Sequence, residues 1–350
     1  MEPIARASSS ADRERSMQAS SAVLRMIQGL IISRSVYVAA KLAIPDLLES
    51  GPRTSAELAH LTKCHPAAVH RVMRLLAALG IFTEPEPGSY GLSPLGDRLR
   101  TGVQGSVRNW ALLTDGLGGL RAFDNILEAV RTGEPAFGSA FGMGVFEFLA
   151  GHPEAAVAFD AAMSERTSAF APSVASAYDF SRMRKIVDVG GGHATLITAI
   201  LTAHPNLHGV ILDLPNVVPG AEGKIKEAGI AGRCEVVAGD FFESVPGGAD
   251  CYIMANVLHD WNDERSIAIL RNCRRAMPDG AKVLVVERLI FADPVQSIPT
   301  LLSDINMLVI TGGMERTDNE YDRLFAEANL VLTRVLPVAF PYGIFEASQR

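Results

Sequence analysis

The chain has 350 residues, of which 48% are hydrophobic, and a formal net charge of -7. A chain of this length suggests two domains, and the composition is that of a globular protein, which excludes an intrinsically disordered one. The negative charge argues against non-specific binding to nucleic acids or anionic membranes, because both attract basic surfaces. A small-molecule partner is favoured.

The cysteines and the N-terminus are those expected of a cytoplasmic protein. The four cysteines lack the paired spacing of a metal site, and unpaired cysteines fit a reducing compartment. Residues 1–15 lack the apolar core of a signal peptide and are expected to form a frayed tail. Since no run approaches the roughly 20 apolar residues of a membrane span, we expect no membrane association.

The first hundred residues predict a winged-helix domain. Apolar residues recur at helical spacing over residues 21–48, where Pro45 is expected to close the helix. A capping box at residues 54–57 and a proline at Pro66 begin two further helices. Residues 81–92 are predicted to form a hairpin around Pro87 and Gly88. Helix, turn, helix and hairpin in this order are typical of winged helices, some of which bind DNA.

A DNA-binding regulator is the weaker interpretation of this domain. Its basic and acidic side chains balance, the basic ones being Arg53, Lys63, Arg71, Arg74, Arg98 and Arg100 and the acidic ones Asp46, Glu49, Glu57, Glu84, Glu86 and Asp97. No basic surface for a phosphate backbone emerges. Residues 1–105 are therefore predicted to be a dimerisation or packing module.

Residues 106–180 predict a helical connector rich in aromatic side chains. The segment contains Phe137, Phe141, Phe146 and Phe148, followed by Met163. Because Phe and Met commonly fill hydrophobic cores, core packing is the simpler interpretation. The segment directly precedes the predicted cofactor domain, so a contribution to the substrate pocket stays open.

Residues 181–350 show alternating strands and helices, as in a parallel sheet covered by helices on both faces. Seven segments have strand character: 185–190, 208–213, 234–239, 249–256, 281–287, 331–337 and 343–347. The fold class is therefore predicted to be α/β, with a doubly wound seven-stranded sheet.

A glycine-rich turn after the first of these strands predicts a cofactor site. Gly190 and the two glycines that follow let the backbone turn sharply and approach a ligand. Asp213 ends the next strand, at the spacing where a carboxylate can bind both ribose hydroxyls. An NAD loop would need a third glycine at Thr195, and the chain has no phosphate-binding Gly-x-x-x-x-Gly-Lys-Ser/Thr loop. These features favour an adenosine-containing cofactor over a dinucleotide, and the glycine run alone could also be a tight turn of any doubly wound sheet.

Further polar residues follow the later strands. Asp240 could meet an adenine amine while Phe241 covers the ring, although Asp240 could also cap a helix. His259 follows the fourth strand and has the side chain whose ordinary pKa, about 6.5, suits a general base. Glu287 and Glu315 could both lie beside this histidine, where a carboxylate would fix the tautomer and stabilise the imidazolium.

Five ordered motifs together resemble one family. They are Asp-Val-Gly-Gly-Gly at 188–192, Leu-Asp-Leu-Pro at 212–215, Gly-Asp-Phe-Phe at 239–242, Leu-His-Asp-Trp-Asn-Asp-Glu at 258–264 and Gly-Gly-Met-Glu-Arg-Thr at 312–317. With the winged helix, the chain resembles the S-adenosylmethionine-dependent O-methyltransferases of the caffeate and hydroxyindole type over nearly its whole length.

The resemblance implies a homodimer exchanged through the N-terminal helices and a class I methyltransferase domain that needs no metal. It implies that Gly190, Asp213, Asp240 and Phe241 bind S-adenosylmethionine, and that His259 is the base with Glu287 and Glu315 beside it. Asn256 is expected among the cofactor residues, and Met163, Phe146 and Asp260 are expected to contact a small aromatic acceptor.

One departure bears on the branch of the family. Plant members carry a lysine near the cofactor where this chain has Ala255, and the Asn-Val-Leu-His-Asp-Trp sequence looks like the bacterial natural-product branch. This departure weakens the carry-over of plant substrates and leaves the cofactor contacts around Ala255 open. The acceptor atom could be oxygen or nitrogen. The alternative function is a hydroxylase or decarboxylase of the same family that retains the cofactor.

Overall fold

The computed structural model describes residues 10–116 and 118–350, and its contacts divide the chain after Leu112. Residues 1–9 of the predicted N-terminal tail lie outside the described residues. The prediction of a frayed tail over residues 1–15 is wrong from Ser10 onward, where the first helix begins.

The first unit contains short helices and a small sheet. Its elements are α1 (Ser10–Ile27), α2 (Gly29–Lys41), α3 (Ile44–Leu47), β1 (Arg53–Thr54), α4 (Ser55–Thr62), α5 (Pro66–Ala78), β2 (Phe82–Glu86), β3 (Ser89–Leu92) and α6 (Pro94–Asp97), followed by α7 (Arg108–Gly116) at the boundary. The three strands pair antiparallel in the order β1-β3-β2, so the predicted hairpin is confirmed as the wing.

The helix predicted for residues 21–48 is three helices, and the role given to Pro45 is wrong. Pro45 lies in the first turn of α3, where a proline is tolerated because the first N–H groups of a helix have no intrahelical partner. Ala43, with φ 50°, makes the turn that precedes it. The capping box is confirmed, since the Thr54 hydroxyl accepts from Glu57 N at 3.2 Å.

Helices α1 and α2 expose a large apolar surface. More than half of each side chain is exposed at Val23, Leu24, Met26, Ile27, Leu30 and Ile31. By length and composition the stretch Glu14–Lys41 could cross a membrane, and only 6% of its apolar window is buried. One such helix near an N-terminus is a weak sign of a membrane protein, and an exposed apolar patch of this kind is also typical of a protein interface.

The second unit begins with helices and ends with a sheet. Its elements are α8 (Gly119–Phe123), α9 (Ile126–Thr132), α10 (Ala136–Phe141), α11 (Val145–Gly151), α12 (Pro153–Ala177), β4 (Lys185–Val189), α13 (Thr195–Ala203), β5 (His208–Asp213), α14 (Val218–Glu227), β6 (Cys234–Ala238), β7 (Cys251–Ala255), α15 (Asp263–Ala276), β8 (Lys282–Arg288), α16 (Pro294–Ile310), α17 (Asp318–Glu327), β9 (Leu330–Pro337) and β10 (Tyr342–Gln349). All seven predicted strands are present.

The sheet has the order β6-β5-β4-β7-β8-β10-β9 and is mixed. The five strands from β6 to β8 are parallel, whereas β10 runs antiparallel to both β8 and β9. The predicted doubly wound seven-stranded sheet is confirmed, and the expectation of parallel strands is wrong for β10. The link between β9 and β10 is too short for a crossover, so these strands can pair only antiparallel.

Side chains of the central strands alternate between two cores, as the two-residue period of a strand requires. Val187 and Tyr252 pack on the face covered by α15 and α17, and Ile186 and Ile253 pack on the face covered by α12 and α13. A third cluster lies among α8 to α12 and α16 and contains Phe137. This arrangement leaves the carboxyl ends of β4, β5, β7 and β8 at one edge of the sheet.

Candidate active site

The glycine turn after β4 permits a close approach of three chain segments. Gly190 has φ 70°, and a Cβ placed there would lie 2.9 Å from Val257 Cγ2 and 3.5 Å from Phe241 Cε1. Only glycine accommodates both this backbone conformation and this contact. The structure thus brings together the turns after β4, β6 and β7, and the cradle suits a ligand that needs close backbone approach.

Asp213 lies at the end of β5, beside the glycine turn. Its carboxylate accepts from Gly192 N at 2.7 Å and from Leu214 N at 2.8 Å. Burial raises the pKa of Asp213, whereas these two N–H donors favour the ionised form. The carboxylate is therefore fixed in place at the position where the family resemblance expects a ribose.

The turn after β6 carries Asp240 and Phe241. The Asp240 carboxylate accepts from Phe242 N at 2.7 Å and stabilises a local turn, and residues 241–243 do not form a helix for it to cap. The backbone oxygens of Phe241 and Phe242 accept from Asn272 Nδ2, each at 2.8 Å. The Phe241 ring is therefore held by α15 next to Gly190, as a cofactor contact requires.

Asn256 follows β7 and lies between the glycine turn and the turn that carries His259. Its φ of 54° is in the left-handed region, which Asn tolerates better than most residues. Among the described residues, neither polar atom of its side-chain amide has a hydrogen-bond partner, although both are buried. A buried amide without partners is costly, so the position is one where a ligand or water would be stabilising.

The left-handed turn at Asn256 directs the next three N–H groups at a single oxygen. Val257 N, Leu258 N and His259 N lie 3.1, 3.1 and 3.4 Å from Glu287 Oε1. Such a concave set of N–H groups favours an anion. Glu287 is fully buried at the end of β8, so these donors replace the water that it loses.

His259 lies between carboxylates and is 1% exposed. Its Nδ1 is 3.1 Å from Glu315 Oε1 and 3.4 Å from Glu287 Oε2, whereas Nε2 is 3.7 Å from Asp260 Oδ1. The structure therefore brings together three residues that lie far apart in the sequence. The two glutamates occupy Nδ1 and leave Nε2 as the nitrogen that can exchange a proton with a ligand.

The charges around His259 change its protonation. Burial would lower the pKa of the imidazole, but Glu287, Glu315 and Asp260 together raise it to about 9. Burial also raises the pKa of Glu287 to about 7. Burial opposes ionisation of Glu315 too, but the imidazolium charge, hydrogen bonds from His259 and Ser303 and the charge of Arg288 together lower its pKa. The cluster therefore retains a proton shared between His259 and these carboxylates at neutral pH.

Aromatic residues line the other side of the histidine turn. Phe146 of α11 stacks on Trp261 with ring centroids 5.3 Å apart, and Phe242 meets Trp261 edge-on at 4.9 Å. Met163 of α12 packs with the Phe137 cluster. The connector thus contributes both to core packing and, through Phe146, to a wall beside Asp260, which suits a flat acceptor.

Several residues of the site have no signal of their own in the sequence pattern. His193 of the glycine turn lies 3.3 Å from Asp160 of α12. Asp304 of α16 accepts from Glu315 N at 2.9 Å. Arg316 is buried among backbone oxygens of the histidine turn, and its place in the Gly-Gly-Met-Glu-Arg-Thr motif is the one clue that the sequence contains.

Comparisons with known proteins match both parts of the chain to one enzyme family. A family model described as an O-methyltransferase domain matches residues 123–330, and one described as an O-methyltransferase dimerisation domain matches residues 24–102. The two matches follow the order of the two units.

The relatives that match most of the chain include O-methyltransferases and a hydroxylase. Phenazine O-methyltransferase PhzM of Lysobacter antibioticus is 43% identical and covers 94% of this chain and 96% of its own length. The O-methyltransferase NcsB1 of neocarzinostatin biosynthesis, solved with S-adenosylmethionine and 2-hydroxy-5-methyl naphthoic acid, is 34% identical with a TM-score of 0.80 over 91% of this chain and 96% of that one. Aclacinomycin 10-hydroxylase RdmB of Streptomyces purpurascens is 34% identical and covers 89% of this chain and 84% of its own length.

Proposed function

Because the chain belongs to the O-methyltransferase family and is an S-adenosylmethionine-dependent enzyme, we propose that it methylates a hydroxyl group of a small aromatic secondary metabolite with His259 as the general base. The observation that carries the proposal is the contact of His259 Nδ1 with Glu315 and Glu287. This contact directs the free nitrogen, Nε2, toward Asp260 and away from the glutamates.

The cofactor residues fit S-adenosylmethionine. Gly190 provides a close backbone approach, Asp213 a fixed carboxylate for the ribose, and Phe241 a ring beside the glycine turn, as described above. Asp240 and Asn256 complete the proposed set, because each follows a strand of the same sheet edge. When bound, S-adenosylmethionine supplies an electrophilic methyl group on a sulfonium.

The residues of this chain would handle the proton and the acceptor. Nε2 of neutral His259 would take the proton from the acceptor hydroxyl, so that its oxygen could receive the methyl group that bound S-adenosylmethionine would supply, with S-adenosylhomocysteine as the leaving group. Glu315 and Glu287 stabilise the imidazolium, and Phe146, Met163 and Asp260 orient the acceptor. A positioned base contributes roughly 10²- to 10⁴-fold to the rate, and alignment in a cleft can contribute as much again.

The histidine, Glu287 and Glu315 are spaced closely enough to hold a metal ion, with ligand atoms within 4.8 Å of one another. We assign them to proton transfer, because Glu287 Oε1 already accepts three N–H groups and both carboxylates face the same ring nitrogen. Incubation with EDTA is therefore expected to leave methyl transfer unchanged, and a loss that zinc or magnesium restores would contradict this assignment.

The test of the proposal is His259→Ala. Turnover with an aromatic hydroxyl acceptor should fall by about 10²-fold or more, while S-adenosylmethionine binding measured by calorimetry should persist. Equal loss of binding and turnover would show that His259 is structural. The acceptor itself requires a screen of phenolic compounds with labelled methyl donor.

A hydroxylase is the second candidate, since the hydroxylase RdmB is 34% identical over 89% of this chain. Mass analysis separates the two functions. A product heavier than the acceptor by one methylene unit supports methyl transfer, and a gain of one oxygen supports hydroxylation.

We also propose a homodimer through the first unit, in the cytoplasm. The dimerisation-domain match begins at residue 24, within the exposed apolar surface of α1 and α2. A second copy would bury this surface from water. Neither a nucleic acid nor a membrane is needed for the proposed reaction.

A further inference from the structure

The segment that carries Glu315 is fastened to the histidine turn by its neighbour Arg316, the largest fully buried side chain among the described residues. Arg316 Nη1 donates to Leu258 O at 3.0 Å, and Nη2 donates to Trp261 O at 2.8 Å. Nε and Nη2 also donate to Asp263 Oδ1 at 3.0 and 2.8 Å. The acceptors begin one residue before His259 and end four residues after it, so one guanidinium holds the whole turn.

A glycine makes this approach possible. A Cβ on Gly313 would lie 2.0 Å from His259 O and 2.7 Å from Trp261 N. No side chain fits there without moving one of the two backbones. Gly313 and Arg316 thus contact the same turn from either side of Glu315.

The contacts of Gly313 and Arg316 with the histidine turn oppose the repulsion between Glu315 and Glu287. The Glu315 and Glu287 side chains are buried on the same ring nitrogen, and one oxygen of each carboxylate lacks a hydrogen-bond partner among the described residues. Like charges this close favour separation or protonation of one partner. The attraction of the imidazolium and of Arg288 opposes this repulsion, and the distance from Glu315 to the ring depends on how the backbone of Glu315 is held.

We propose that Arg316, with Gly313, is a positioning residue that keeps Glu315 in contact with Nδ1 of His259 and thereby sets the basicity of the histidine. The proposal rests on the proposed function for the consequence to catalysis, but not for the effect on the titration of His259. A purely structural arginine would stabilise the fold and leave that titration unchanged.

Charged and titratable groups from several elements surround His259. They are Asp260 on the histidine turn, Arg166 of α12, which acts on Asp260, Glu287 and Arg288 of β8, Asp304 of α16, Tyr321 of α17 and Glu315 itself. Of these, Glu315 is the group that Arg316 holds at its distance from the ring through the adjoining backbone. Loss of the contact should therefore lower the pKa of His259.

The experiment compares Arg316→Lys and Asp263→Asn with Arg271→Ala in the full-length protein. Arg271 is a matched control because it also ties two segments together, donating from Nε and Nη2 to Glu327 O. Histidine labelled with carbon-13 reports the titration by NMR, and the His259→Ala variant identifies the signal. Cofactor affinity and the pH dependence of kcat/KM are measured in parallel.

Arg316→Lys should lower the pKa of His259 by about one unit and reduce kcat by about tenfold, with cofactor affinity changed by less than about threefold. Asp263→Asn should shift the pKa in the same direction by less, because all the donors remain. Arg271→Ala should leave the titration unchanged even if the melting temperature falls.

The proposal is overturned if the His259 titration in both Arg316→Lys and Asp263→Asn matches that of the wild type. A shifted titration with undiminished turnover in His259→Ala would instead support the positioning role and refute the base. The two failures are therefore distinguishable.

Discussion

At His259, the surrounding carboxylates determine how the rate should depend on pH. In the proposed mechanism the base is the neutral imidazole, whereas Glu287, Glu315 and Asp260 raise its pKa to about 9. In the free enzyme the proportion of base therefore increases as pH rises and levels off above that pKa. We expect kcat/KM to increase from neutral pH toward pH 9, as measured with one acceptor over the whole range.

Replacement of Glu315 by glutamine should move the rising limb of the pH profile, the range over which kcat/KM increases, to lower pH. The amide removes one negative charge from Nδ1, so the imidazolium loses stabilisation and the pKa of His259 falls. The plateau rate should also decrease, since the amide stabilises the imidazolium formed in the reaction less well. Glu264→Gln, an exposed acid in the first turn of α15, is the control and should leave the limb in place. An unmoved limb in Glu315→Gln would show that Glu315 does not act on the histidine.

At the scale of elements, the turn after β4 makes a sharp prediction. Gly190→Ala should weaken S-adenosylmethionine binding by about tenfold or more, because its Cβ would meet Val257 and the residue would be strained at φ 70°. Gly223→Ala is the matched control, since a Cβ there meets nothing within 4 Å and alanine favours the α14 helix. Calorimetry of both variants checks the prediction, and equal affinities would refute it.

Elements with local signals could be predicted from the sequence, and long-range contacts could not. The capping box at Thr54 and the glycine turn at Gly190 depend on residues adjacent in the chain, and the structure confirms both turns. The prediction for Pro45 is wrong because a proline is typical of the start of a helix as well as of its end. The antiparallel direction of β10 could not be predicted. The direction of a strand depends on its connection to the preceding strand and on the strands it pairs with, and the residue pattern of the strand contains neither.

In the candidate site, too, residues with a local signal could be predicted and long-range contacts could not. Gly190, Asp213 and His259 follow strands at a spacing that can be read, and Glu315 could be named from the family motif. The pairing of His193 with Asp160 joins residues of α12 and the glycine turn, and no local pattern marks it. The contacts of Arg316 depend on backbone oxygens more than fifty residues away, which carry no sequence signal at all.

For the whole molecule, the exposed surface of α1 and α2 predicts the state of association. The chain, of 37.4 kDa, should elute at about twice that mass, because burial of these apolar side chains drives association. Leu24→Asp combined with Ile31→Asp should give monomers in light scattering after size exclusion. Leu95→Asp, on an exposed residue of α6, is the control and should stay dimeric. A wild-type monomer would contradict the proposed interface.

The separate origins of the two halves of the site have a consequence for the diversity of these enzymes. His259 lies in the turn after β7, Glu287 on β8 and Glu315 in the loop before α17, whereas Phe146 and Met163 belong to helices that precede the sheet. Exchange of residues 136–163 with a relative should therefore graft a new substrate preference onto an intact proton-handling apparatus. The compound that is recognised could then change, in evolution or by design, while the residues that transfer the proton stay the same.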